Sequence, residues 1–147
     1  MHLFSLLRPV AVLLVAAGIV TLTTSASAKE RQHFSRGTAL LDQTGNFVGS
    51  GYATHLGRYT EIGHVSISGE NPYALDLDGW ATYTAANGDE VYANVTGQLN
   101  FFTGAIIATV TYDGGSGRFD DASGSAGLLG QLGPDGISVV VVGTIDY

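Results

Sequence analysis

One carboxylate in this 147-residue chain occupies a position where it can act as a general acid or base. Between residues 58 and 68, polar side chains alternate with apolar or small ones, which is typical of a half-buried β-strand. Glu61 falls on the more apolar side. A carboxylate among apolar side chains loses hydration, so its pKa rises and its proton becomes transferable near neutral pH. Glu61 is therefore the predicted catalytic residue; the alternatives are an ion pair with Arg58 and an outward twist of the strand.

The side chains that share this face predict a binding surface for an apolar small molecule, because such surfaces combine apolar walls with few polar groups. The next strand adds an aromatic wall. With residues 86–89 as a four-residue loop, Trp80 falls on the core face opposite Val95. The same register places Tyr83 and Tyr92 together on the other face, where they predict a contact surface. The predicted ligand-binding residues are Tyr59, Val65, Ile67 and Trp80.

No residue pattern predicts a metal site or a cofactor. His33, His55 and His64 lack the i, i+4 spacing of a helical zinc site. Asp76 and Asp78 lie on one side of an extended chain, but calcium needs about six to eight oxygen ligands. The absence of Cys excludes thiolate ligands, Cys nucleophiles and disulfides. We therefore expect neither a metal nor a cofactor.

Charge and one glycine-rich run argue against two classes of partner. Six basic and thirteen acidic residues give a net charge of −7, which disfavours nucleic acid and anionic membrane surfaces. The run Gly115–Asp120 begins like a dinucleotide-binding loop. Asp120, however, occupies the place of the third glycine and would repel a phosphate. We expect no nucleic acid and no membrane among the partners of the mature chain.

The first 28 residues have the pattern of a signal peptide. Arg8 precedes an apolar stretch, Pro9–Val20, and the tripeptide at 26–28 has the small-x-small form of a cleavage site. A retained transmembrane anchor is the alternative. We expect a signal peptide over residues 1–28 and a single domain over residues 29–147, secreted or periplasmic. Without Arg8 this domain has a net charge of −8.

Glycine spacing argues against long helices in this domain. After Arg36 no stretch without glycine exceeds nine residues, whereas a mean helix has about 11–12. The intervening segments are rich in Val, Ile, Thr and Tyr, which favours strands. We expect an eight-stranded antiparallel β-barrel, and the alternative is an open β-sandwich. The predicted strands lie near residues 36–42, 46–56, 58–68, 79–85, 90–98, 104–113, 124–132 and 137–146.

The run Gly114–Gly124 resembles the G-G-[ST]-G-[RK]-F-x-x-A-x-G turn of the allene oxide cyclase and dirigent barrel superfamily. Residues 51–59 are similar to a segment of secreted bacterial proteins with this barrel. The resemblance implies an eight-stranded barrel with an apolar lumen, often a trimer, whose plant relatives act on or orient hydrophobic small molecules. Glycine permits the positive φ of a tight reversal, and Phe anchors it. The predicted structural turn consists of Gly114, Gly115, Gly117, Phe119 and Gly124.

Three functions are compatible with these patterns. The first is a secreted β-barrel protein that binds an apolar small molecule in its lumen. The second, implied by the resemblance, is an isomerase or cyclase of the allene oxide cyclase type with Glu61 as acid or base. The third is a structural or interaction protein without small-molecule chemistry. A fold does not determine a function, so the enzyme question stays open, with binding favoured over catalysis.

The last predicted strand is apolar on both faces, with Val139–Val142 at its centre. Strands that read this way are buried on both sides. The outer face of a closed barrel meets solvent unless something covers it, so one alternate pair of these valines needs a cover. We expect a homo-oligomer, and the resemblance suggests a trimer.

Overall fold

The computed structural model describes residues 29–147, and the predicted signal peptide over residues 1–28 lies outside the described part. Eight β-strands follow one another, with one 3-10 turn, Gly117–Phe119, before the last two. Their bounds are β1 Arg31–Leu41, β2 Asn46–Ala53, β3 Gly57–Ser68, β4 Leu75–Ala85, β5 Glu90–Leu99, β6 Ala105–Gly115, β7 Ser123–Gly133 and β8 Gly136–Asp146. No helix within residues 29–147 is long and apolar enough to span a membrane.

Each strand pairs with the next in antiparallel orientation, and β1 also pairs with β8, which closes the barrel. The predicted eight-stranded antiparallel β-barrel is confirmed, and the open β-sandwich is wrong. Two strands begin four or more residues earlier than predicted. β1 starts at Arg31, which lies opposite Ile145 at the closing seam. β4 starts at Leu75, so Asp76 and Asp78 belong to the strand and not to the loop before it. Both side chains face solvent.

Alternate residues of each strand fill the interior, as the pleat of a β-strand requires. The largest side chains with almost no exposed surface are those of Phe119, Leu99, Ile145, Val91 and Val110. Within residues 29–147, three buried residues are polar or charged: His33, Ser35 and Glu61. An interior that is otherwise apolar makes each of these three a candidate for function, because a buried polar group needs a partner or a purpose.

The turn between β6 and β7 plugs one end of the barrel. Gly115 lies so close to the carbonyl of Glu90 that no side chain fits there. Phe119 is fully buried and packs edge-on against Tyr147, with ring centroids 4.7 Å apart. Three glycines of the turn have positive φ: Gly114, Gly117 and Gly124. The turn has the backbone geometry and the aromatic anchor that its sequence predicts.

The β4–β5 hairpin differs by one residue from the predicted register. Residues 86–88 form a three-residue loop, closed by a 2.8 Å hydrogen bond from the amide of Ala85 to the carbonyl of Asp89. Gly88 permits this tighter loop because it adopts φ +89°. A shift of one residue reverses the facing of a whole strand. The predicted core position of Trp80 is therefore wrong, and its side chain lies on the outer face, 48% exposed.

The same shift separates two tyrosines that were predicted to share a contact surface. Tyr83 lies opposite Val91, which is buried inside the barrel. Tyr92 lies opposite Thr82 on the outer face and donates a hydrogen bond to Glu90. The predicted Tyr83–Tyr92 surface is therefore wrong, and Tyr83 becomes an interior residue.

Replacing Gly88 by Ala is expected to lower the free energy of unfolding by about 1 kcal/mol, the cost of a side chain at left-handed φ. Steric contact adds nothing, because a Cβ at this position meets no atom within 4 Å. Gly88→Asn should lose less, because Asn tolerates this conformation. Urea denaturation measures the effect, with Gly133→Ala as the control because Gly133 has no positive φ. An equal loss in Gly88→Ala and the control contradicts the explanation.

Candidate functional site

A small cavity lies inside the barrel, toward the end formed by the β1–β2, β3–β4, β5–β6 and β7–β8 turns. Its volume is about 80 Å³ and it is half-enclosed. Since Phe119 fills the opposite end, a ligand would enter from the end formed by these four turns, the open end of the barrel. The apolar side chains around it include Phe47, Val65, Leu77, Ile106, Leu128 and Val139. The cavity is therefore suited to an apolar guest.

Glu61 is the one residue with a carboxylate side chain among those that line this cavity. It lies near the middle of β3 and is only 6% exposed. Gly49 on β2 makes room for it, because a Cβ at Gly49 would stand 2.5 Å from Glu61 Oε1. Burial raises the pKa of Glu61 from 4.5 to about 7 and is the single cause of the rise. The group therefore titrates near neutral pH, and either protonation state is accessible there.

Two tyrosines flank this carboxylate on the interior surface. Tyr83 lies opposite Glu61 in the β3–β4 register and lines the cavity. Tyr59, two residues before Glu61, packs edge-on against Tyr83 with ring centroids 5.4 Å apart. Its hydroxyl lies 3.1 Å from Ser35 Oγ. Burial raises the pKa of Tyr59 to about 12, so both rings stay neutral and able to donate a hydrogen bond.

The predicted ligand-binding residues fall into different places. Val65 lines the cavity. Tyr59 is interior but solidly packed, with its hydroxyl over the glycines of β1 and β2. Ile67 shares the interior face of β3, yet it lies near the strand end and is 42% exposed. Trp80 borders the cavity at Gly63, where its backbone carbonyl lies beside the glycine, but its side chain points outward.

Among the cavity residues that were not predicted from the sequence, Phe47 and Tyr83 are the two for which the sequence carries a signal. Phe47 on β2 lies against Gly63 on β3, where any side chain would collide with its ring. An aromatic residue paired across strands with a glycine indicates that the aromatic ring covers the glycine. Tyr83 falls on the outer contact face with the predicted four-residue loop, and on the inner face with the three-residue loop that the structure has.

A separate polar cluster lies at the plugged end. His55 Nε2 donates to the carbonyl of Gln32 at 2.7 Å, so its Nδ1 accepts the hydroxyl of Tyr147 at 3.1 Å. The ring of His33 is 6.1 Å from that of His55, and its buried Nδ1 has no hydrogen-bond partner within residues 29–147. Burial, and then the charge of His55, lower the pKa of His33 to about 4. His33 is therefore a neutral interior residue near physiological pH.

Metal-ligating side chains do not converge in the described part of the chain, residues 29–147. Asp76 and Asp78 lie on the outer face of β4, exposed, opposite Ser68 and Ser66. His64 is paired with Asn46 at 3.1 Å on the outer face of β3. The chemistry that the interior offers is therefore proton exchange and hydrogen bonding at Glu61, beside an apolar wall.

Comparison with family models, curated proteins and solved structures gives no match to this chain. Kinship with the allene oxide cyclase and dirigent barrels stays a prediction, which rests on the turn at residues 114–124 and the segment at residues 51–59.

Proposed function

We propose that this barrel binds a small apolar molecule, or the apolar end of a longer one, through one hydrogen bond to Glu61. The observation that carries the proposal is the pairing of an apolar cavity with a single buried carboxylate that no other charge accompanies. Pockets for small molecules combine apolar walls with a few placed polar groups. A ligand hydroxyl would give the carboxyl group a hydrogen-bond partner at the apolar wall of the cavity.

The cavity volume sets the size of the guest. At about 80 Å³ it is smaller than the engineered apolar cavity of about 150 Å³ that accepts benzene. A guest of a few non-hydrogen atoms fills it. The part of a longer molecule that does not fit the cavity would lie at the open end of the barrel, where Tyr73, Phe101 and Phe102 form an exposed aromatic cluster.

Linear alcohols from propanol to octanol test this proposal by nuclear magnetic resonance titration. Affinity should rise about fourfold per added methylene, the worth of about 0.8 kcal/mol, until the cavity is full. Val95→Phe, which narrows the cavity, should abolish binding. Val48→Phe, at an exposed outer position, is the matched control and should leave binding unchanged. Affinity that is independent of chain length, or equal in the two variants, contradicts lumen binding.

A second candidate function is proton-transfer catalysis of the isomerase or cyclase type. The specific observation in its favour is the pKa of Glu61, raised to about 7, because a general acid or base works best near the operating pH. For a substrate that the barrel isomerises or cyclises, kcat of the Glu61→Gln variant would then be about 100-fold or more below that of the wild-type chain, while alcohol binding is retained. Retained turnover in this variant rules out the carboxylate as the acid or base.

Export is part of the proposal: the barrel would act after removal of residues 1–28, in a secreted or periplasmic location. The support is the small-x-small tripeptide before Lys29. N-terminal sequencing of protein collected outside the cytoplasm should begin at Lys29. A sequence that begins at Met1 contradicts export by cleavage.

Self-association is expected through an apolar stripe on the outer face of β6, β7, β8 and β1. Its members are neighbours in the strand register: Ile107, Leu129, Val140, Val142 and Phe34. Each is at least 41% exposed in the single chain. Contiguous exposed apolar surface of this kind marks interfaces, and a second copy of the chain is the proposed cover.

Val142→Glu should weaken this association by about 100-fold or more, since an uncompensated charge in an interface costs about 3–5 kcal/mol. Light scattering over a range of concentrations measures it. Thr111→Glu is the matched control, because Thr111 is exposed on the outer face of β6 between Asn94 and Ser125, outside the stripe. A wild-type chain that stays monomeric at high concentration contradicts the proposal.

A further inference from the structure

Two arginines and a tyrosine form a row on the outer face of three adjacent strands. Arg36 on β1 lies opposite Tyr52 on β2, which lies opposite Arg58 on β3. All three are exposed, Tyr52 by 51%. Adjacent strands are about 4.8 Å apart, so the arginines begin about 10 Å apart with the phenol ring between them.

Neither arginine is paired with an acid. Within residues 29–147 the salt bridge present joins Arg118 to Asp89, on another part of the barrel. These residues include thirteen acidic side chains and only five basic ones. Two of the five cations thus share one row without a carboxylate to neutralise them, in a strongly acidic protein. Such a local positive field attracts an anion.

A second row, of hydroxyl side chains, runs beside the first. The strand register joins five residues across β8, β1, β2, β3 and β4: Ser138, Thr38, Ser50, Thr60 and Thr84. Four surface clefts are lined by residues of these rows, and two of them place Asp135 beside Thr38. The other two include Arg36, one of about 670 Å³ over β1–β4 and one of about 450 Å³ over β8–β2. Both clefts are lined by Arg36, Ser50 and Tyr52, so they form one groove across the strands.

We propose that this groove binds a linear acidic saccharide, with Arg36 and Arg58 holding its carboxylates. A guanidinium offers paired donors that match a carboxylate. The hydroxyl row supplies donors and acceptors for sugar hydroxyls. The ring of Tyr52 offers a flat apolar surface for the face of a sugar ring. A groove that crosses five strands exceeds the needs of one inorganic anion. The site is on the outer wall, where Arg36 lies opposite Val140 at the edge of the apolar stripe, and it does not depend on the lumen.

Calorimetric titration with a galacturonate oligosaccharide long enough to cover the row tests the proposal. Arg36→Gln and Arg58→Gln should each weaken binding by about 10- to 100-fold, the worth of a charge-assisted hydrogen bond pair. Tyr52→Ala should weaken it by about 10-fold. Arg31→Gln is the matched control, because it removes the same charge from a residue that lies over Tyr147 instead. It should change affinity by less than about twofold.

The proposal is overturned by any of four results. The oligosaccharide does not bind; Arg31→Gln weakens binding as much as Arg36→Gln; a neutral oligosaccharide of equal length binds as well; or sulfate alone competes with equal affinity. Urea denaturation of the Arg36→Gln variant should match that of the wild-type chain, which shows that the variant is folded whether or not the lumen binds alcohols. Alcohol titration of the same variant then separates failure of the groove from failure of the lumen site.

Discussion

Glu61→Gln is expected to raise the free energy of unfolding by about 3 kcal/mol near pH 8.5 and to change it little near pH 4.5. The folded-state pKa of Glu61 is raised to about 7 from 4.5, so the folded barrel holds this proton more tightly than the unfolded chain. The stability it contributes is therefore complete below about pH 4.5 and is lost as the pH rises through about 7. Gln mimics the protonated carboxyl and removes that loss.

His33 imposes the opposite dependence in an overlapping range. Its folded-state pKa is lowered to about 4 from 6.5, so its contribution is complete above about pH 6.5 and is lost as the pH falls through about 4. Between about pH 4.5 and 6.5 the two groups act against each other. The wild-type profile should be nearly flat there, while Glu61→Gln should lose stability on acidification.

Urea denaturation at a series of pH values measures both profiles. Glu70→Gln, which removes the same charge from an exposed turn, is the control and should follow the wild-type chain. Parallel profiles for Glu61→Gln and the wild-type chain would show that Glu61 carries no burial penalty. In that event the basis for a proton-transfer role also disappears.

Phe119→Ala is expected to lower the free energy of unfolding by about 3–5 kcal/mol, the usual cost of removing a buried aromatic ring. Phe119 has no exposed surface, packs against Tyr147, and lies under the guanidinium of Arg118 at 4.7 Å from its ring centroid. A loss of this size is a large part of the total stability of a small domain, which is about 5–15 kcal/mol.

Two further variants make this prediction specific to the plug. Phe101→Ala removes the same ring from a position that is 64% exposed and should cost less than about 0.5 kcal/mol. Phe119→Leu keeps most of the buried volume and should recover a large share of the loss. Equal denaturation midpoints for Phe119→Ala and Phe101→Ala would show that the turn does not anchor the barrel.

The sequence predicts the strands, the closed barrel and the interior position of Glu61 because these depend on local patterns. Glycine spacing limits the length of any helix, whatever the tertiary contacts of the chain. The alternation around Glu61 survives because β3 pairs with both neighbours without a bulge. The turn at residues 114–124 is also local, since its glycines and Phe119 lie within eleven residues.

Features that depend on register or on distant contacts were not predicted. The facing of Trp80 rests on whether a loop has three or four residues, and the amino acids of that loop suit either length. The cluster of His33, His55 and Tyr147 joins the two ends of the described chain, so no local sequence pattern predicts it. The groove with Arg36, Tyr52 and Arg58 likewise exists only once three strands are in register.

The order of the strands also has a kinetic consequence. Seven of the eight strand pairs join neighbours along the chain, so each can form as a hairpin within a short loop. The eighth pair brings Arg31 to Ile145 and closes a loop of about 110 residues, with a length-dependent entropy cost of about 4 kcal/mol. Closure of the seam is therefore the step that should limit the folding rate. Amide hydrogens of β1 and β8 should then gain protection last during refolding.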